Sequence, residues 1–155
     1  MDLILVGGVL FAVAGGFQFA IGLLAAFFGF PPAIVGLSAR SDHAMWGRSS
    51  AELLKDPVVR DLRTHHTIVI GGLLVGLGIV QVALGGYAAS QGMTWALVTL
   101  TAMGVAMLPY WVAMVLQFTR AKVRVGFGDV QPFVWVHMVL WLAGAGFAWA
   151  GWLQS

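Results

Sequence analysis

Cysteine is absent from the chain, and charge is scarce: Asp, Glu, Lys and Arg together make up 9% of 155 residues. The first absence excludes disulfides, iron–sulfur clusters, thiolate zinc sites and thiol catalysis. The second excludes a water-soluble surface, because soluble domains carry about 25% charged residues. Hydrophobic residues make up 60% of the chain, too many to hide from water in one domain of this length. Missing too are a Ser/His/Asp set, an HExxH pair and a phosphate-binding glycine loop. Eight Lys and Arg against six Asp and Glu leave an excess too small to point to nucleic acid.

What is present is four long apolar runs, about Leu3–Phe28, Thr67–Ala89, Thr94–Phe118 and Phe133–Leu153. Each exceeds the roughly 20 residues that a helix needs to cross a hydrocarbon core, and none holds Asp, Glu, Lys or Arg. Lipid offers backbone groups no hydrogen bonds, so each run must be helical. The first run follows no basic segment, Asp2 being the only early charge. It is also too long for a signal-peptide core and reads as a span. The expectation is an all-α, integral membrane four-helix bundle forming one domain over 1–155.

The basic residues orient it. Arg40, Arg48, Lys55, Arg60 and Arg63 lie in the first loop, and Arg120, Lys122 and Arg124 in the third. The second loop, around Ser90-Gln91-Gly92, and both tails have none. Positive charge stays cytoplasmic, which predicts N-out/C-out topology in an inner (plasma) membrane. Anionic headgroup contact accounts for the basic loops.

The first loop, about 29–66, is the only sizeable hydrophilic segment. Phe30-Pro31-Pro32 predicts a stop to the first helix. Ser49-Ser50-Ala51-Glu52 fits a capping box that opens a short helix. Asp56-Pro57 reads as N-cap and first turn of the second long helix, which runs unbroken to Ala89 and overhangs its apolar part by roughly two turns. Met45 and Trp46 suit the headgroup layer. Trp95, Trp149 and Trp152 at one end of the spans and Trp135 at the other form the usual aromatic belt.

Small residues recur at four-residue spacing: Gly8, Ala12 and Gly16, then Gly72 and Gly76, then Gly146 and Ala150. Such ridges let helices approach closely where packing, not water, drives association. They predict packing inside the bundle or against another copy or partner. Pro109 predicts a kink in the third span, freeing a carbonyl near Val105. Gln18 and Gln81 are polar groups at membrane depth and predict bonds across helices or the lining of a polar cavity. His137 is the one histidine clearly inside a span. His66 lies at the entrance of the second, and the two together are candidates to clamp a haem b. Asp61 and His65 share a helix face, with Asp42 and His43 nearby in the loop, and the plainer reading of all four is a solvated, headgroup-facing surface.

No carboxylate lies within a span, so the usual proton- or sodium-coupling acid is missing. Together with the glycine ridges this predicts a non-catalytic accessory or scaffold subunit in a homo-oligomer or larger membrane complex, in contact with lipids. The alternative is an oligomeric pore or carrier for a small solute or lipid, lined by Gln18, Gln81, Pro109 and His137. The third reading is a redox subunit holding haem b on His66 and His137.

Overall fold

Asp2 starts the first helix. Its carboxylate accepts from the backbone N–H groups of Ile4 and Leu5, two donors that a helix N-terminus leaves without intrahelical partners. The computed structural model describes residues 2–28, 39–120, 122 and 132–155, and every element among them is helical. Helix α1 spans Leu3–Phe28, the predicted run to the residue. The proline stop after it and Arg124 lie outside the described residues.

Two short helices follow, α2 (Ala39–Trp46) and α3 (Ser50–Leu53). The capping box at α3 forms in full: Ser49 Oγ accepts from the Glu52 N–H, and the Glu52 carboxylate accepts from the Ser49 N–H. Asp56 caps α4 through the Val58 N–H, with Pro57 in its first turn. Helix α4 covers Pro57–Ala83 and continues as a π-helical segment, Leu84–Ala89. The chain then turns through Ser90–Met93, where Gly92 has φ +75°, a left-handed conformation that glycine adopts without steric cost.

The third run is not one helix but two, α5 (Thr94–Val105) and α6 (Leu108–Arg120). The break falls at Ala106–Met107, just before Pro109, as expected of a residue without a backbone donor. Helix α7 covers Pro132–Trp152. Among the described residues, four helical stretches are long and apolar enough to cross a membrane: Leu3–Phe28, Pro57–Ala89, Thr94–Arg120 and Pro132–Trp152.

Helix α1 is the hub, packed along its length against α4 on one side and α7 on the other. Helix α5 packs against the π-helical segment and α7. Helix α6 makes no extensive packing with another described helix, and Leu108, Tyr110, Val112 and Leu116 stay exposed. The core is therefore concentrated at the end of the bundle that holds both termini. It is built from Phe11, Ala88, Ala89, Ala96, Leu97, Leu100 and Ala148. Phe11 meets Trp141 edge to face at 6.3 Å, and the Trp141 ring lies over Gly104.

Candidate functional site

Glycine sets how closely the hub helices approach, but not at the positions that four-residue spacing suggests. The seam between α1 and α4 is formed by Gly8, Gly15 and Gly22 against Gly71, Gly78 and Gly85. A methyl group on Gly78 would sit 2.7 Å from the Gly15 carbonyl oxygen and the Phe19 nitrogen, and one on Gly22 2.7 Å from the Val75 nitrogen. Gly7 and Gly151 do the same for α7, against Ala148 and Ile4. Of the predicted packing residues, Gly8 is in the seam, and Ala12 approaches Gly86. Gly16, Gly72, Gly76 and Gly146 are not in it: among the described residues a methyl on any of them meets nothing within 4 Å. Ala150 is half-buried. The residues missed were signalled by strict seven-residue spacing on both helices, a repeat that keeps one face toward one neighbour.

The seam also fixes which way the polar residues point. Gln18 and Gln81 each lie three positions beyond a seam glycine, Gly15 and Gly78, and Gln18 is half-buried. Gln81 is 3% exposed. Its Oε1 lies 3.3 Å from His137 Nε2, so with the proton on Nε2 the imidazole donates to the amide across α7 and α4. Gln81 Nε2 is buried with no hydrogen-bond partner among the described residues. A methyl on Gly144 would touch Phe11 at 3.2 Å. Seven residues from that contact, in opposite chain directions, His137 comes level with Gln18. Gln81 and His137 thus meet between α4 and α7, while Gln18, half-buried on α1, is placed near them by register alone. Pro109 does not join them: it is exposed on α6.

This geometry corrects the haem pairing. His66 is exposed near the start of α4, and fifteen residues separate it from Gln81, about 22 Å at 1.5 Å per residue. His137 lies at the level of Gln81, so His66 and His137 cannot grip one porphyrin. His65 Nδ1 turns back onto its own helix, 2.8 Å from the Asp61 carbonyl. Among the described residues no three His, Asp or Glu side chains come together as a metal site would need.

A second polar centre was not foreseen. Arg63 of α4 donates from both terminal guanidinium nitrogens, Nη2 and Nη1, to Asp42 of α2, at 2.7 and 2.9 Å, and Ser50 Oγ donates to the same carboxylate at 2.6 Å. Asp42 is 6% exposed. Burial pushes its pKa up, but the bonds from Arg63 and Ser50 and the guanidinium charge outweigh that and hold it below the ordinary 3.8. Bidentate, charge-assisted geometry of this kind is what makes a buried pair hold. It docks α2 and α3 onto the overhang of α4 and leaves Met45 and Trp46 exposed.

The tryptophans of α7 do more than form a belt. Trp141 Nε1 donates to the Leu100 carbonyl, Trp149 Nε1 to Thr101 Oγ1 and Trp152 Nε1 to Thr94 Oγ1. Three indole N–H groups thus tie α7 to α5, while Trp95 stays exposed.

No protein-family model, curated protein or solved structure matches the chain.

Proposed function

We propose that the chain is a non-catalytic accessory or scaffold subunit of an inner (plasma) membrane, assembling with itself or with a larger complex through its outward helix faces. Its termini lie outside, and the loop carrying α2 and α3 lies in the cytoplasm beside the basic residues. One observation carries this reading. The bundle closes on seam glycines at seven-residue spacing, while Gly16, Gly72, Gly76 and Gly146 face open space among the described residues. Gly16 and Gly72 each lie one position beyond a seam glycine, on the flank opposite Gln18 and Gln81. Glycine in a helix interior costs about 0.5–1 kcal/mol relative to alanine, a cost that internal packing does not recover at these positions. A helix pressed against that face recovers it. Native mass spectrometry in mild detergent tests the reading: an assembly of two or more chains, or a co-purifying partner, is expected, and a strictly monomeric protein without partners ends it.

The orphaned Gln81 amide supports a second reading, a pore or carrier whose interior is lined by Gln18, Gln81 and His137. Solute flux into liposomes tests it, and leak equal to that of empty vesicles rejects it.

A further inference from the structure

Residues Val58, Leu62, His65, Val69, Gly72, Gly76, Ile79 and Ala83 follow one another at alternating steps of four and three along α4, and every one is exposed. This is an unbroken heptad seam, with Leu62, Val69, Gly76 and Ala83 in one core position and Val58, His65, Gly72 and Ile79 in the other. It lies on the side of α4 away from the glycines that meet α1. From this seam, and resting on the assembly role above, we infer that the partner of α4 is the α4 of a second copy, the two running parallel about a two-fold axis along the membrane normal.

Two features single out this seam from an ordinary lipid-facing surface. The first is its reach. Val58 is 73% exposed and Leu62 68%, yet both lie in the overhang, among Arg60, Asp61, Arg63 and Thr64, and not in the apolar run. With the membrane on the apolar run that begins at Thr67, water surrounds them instead, and large apolar side chains in water are what drives helices together. Further along, inside the apolar run, water supplies no such force and close packing takes over. There the seam switches to Gly72 and Gly76. Bulk stands where hydrophobic association works, and glycine where only backbone approach works.

The second feature is charge. In a parallel heptad pair, the residue just before one core position faces, on the partner, the residue five places further on. On α4 these are Asp61 and His66, both exposed. A two-fold axis therefore places each Asp61 beside His66 of the second copy, twice per dimer. Asp61 also has Arg60 at 3.7 Å on its own helix, with a side chain 66% exposed, so it remains accessible to a partner. Two copies inserted with the same orientation have parallel α4 helices, as the pairing requires.

The chain has no cysteine, so single-cysteine variants of the full-length protein in native membranes report the interface directly. Oxidised with added copper phenanthroline, Val58→Cys and Leu62→Cys are expected to form disulfide-linked dimers at least tenfold faster than Thr64→Cys on another face of the same overhang. Added to Leu62→Cys, Asp61→Lys is expected to slow the linkage, and Asp61→Lys with His66→Glu to restore it. Equal rates at positions 58, 62 and 64, or no linkage in a protein that native mass spectrometry shows to be assembled, overturn the seam and leave the assembly role standing. A protein monomeric by mass spectrometry and unlinked at all three positions overturns both.

Discussion

Arg63 reaches Asp42 across 21 residues of sequence and grips both carboxylate oxygens, which joins the loop helices to the longest helix of the fold. Removing one partner of a buried pair costs about 3–5 kcal/mol, because the other charge stays buried alone. Arg63→Met is therefore expected to release α2 and α3 from α4 without unfolding the bundle. Faster hydrogen exchange and proteolysis confined to residues 39–55 would show it, and unchanged protection there would refute the latch.

The same pair has a pH signature. Asp42 has its pKa held below 3.8 in the folded chain. Its ionised form is favoured by folding, so the latch contributes fully above the unfolded value and weakens as pH falls through the lower, folded value. Protection of residues 39–55 is expected to be flat from about pH 7 to 5 and to decline below about pH 4. In Asp42→Asn that acid-dependent step is expected to vanish. Loss of protection between about pH 6 and 7 would mean a histidine, and not Asp42, controls the dock.

Glycine substitutions should divide by face. Gly78→Ala and Gly15→Ala put a methyl against backbone atoms 2.7–2.9 Å away. Overpacking of this kind costs about 1–3 kcal/mol. Gly146→Ala, with nothing in reach among the described residues of the single chain, is expected in the dissociated monomer to be neutral or to stabilise by up to about 1 kcal/mol through helix propensity. Thermal unfolding in detergent separates the two classes, and equal losses at Gly78 and Gly146 would contradict the seam.

Much of the fold was legible locally. Asp56-Pro57, the Ser49–Glu52 capping box and Pro109 act on backbone groups within a turn or two, so short sequence windows contain both cause and effect. The seam was harder. Gly71, Gly72, Gly76 and Gly78 lie within eight residues but point in different directions, and within so short a window the seven-residue repeat that marks the seam does not stand out from the four-residue one. GxxxG selected Gly72 and Gly76, while tertiary packing selected Gly71 and Gly78. Asp42–Arg63 was illegible for another reason: its partners sit on separate elements, joined by turns whose geometry local rules do not set. The depth of His137 depends on how α7 slides along α1, which is settled by Gly144 meeting Phe11 and Gly151 meeting Ile4, contacts between chain ends. Without that register His66 and His137 looked like neighbours.

The tie between α7 and α5 is expected to be modest and specific. Thr101→Val removes the acceptor for the Trp149 indole while keeping the shape of the side chain. Hydrogen bonds between helices in membranes average about 0.6 kcal/mol, and an indole left half-buried without a partner brings the loss toward about 1 kcal/mol. A small drop in midpoint is expected, with Trp149→Phe adding little in the double variant. Additive losses would show that the bond contributes nothing and that each side chain acts by packing alone.

His137 and Gln81 decide between glue and lining. His137→Leu removes the partner that the Gln81 amide has among the described residues, where its Nε2 already has none, and stranding a buried polar group costs about 1–3 kcal/mol. Gln81→Leu in turn strands the imidazole. Replacing both partners with apolar groups removes every stranded atom and is expected to restore stability to the parent level or above. If the pair is glue alone, the double variant regains both stability and assembly, and nothing else changes. If the interior carries a solute, the double variant regains stability while liposome flux falls, because the donor that the bundle leaves unsatisfied is the group a solute would meet. A double variant less stable than either single one would show that the pair's hydrogen bond is not what ties α4 to α7.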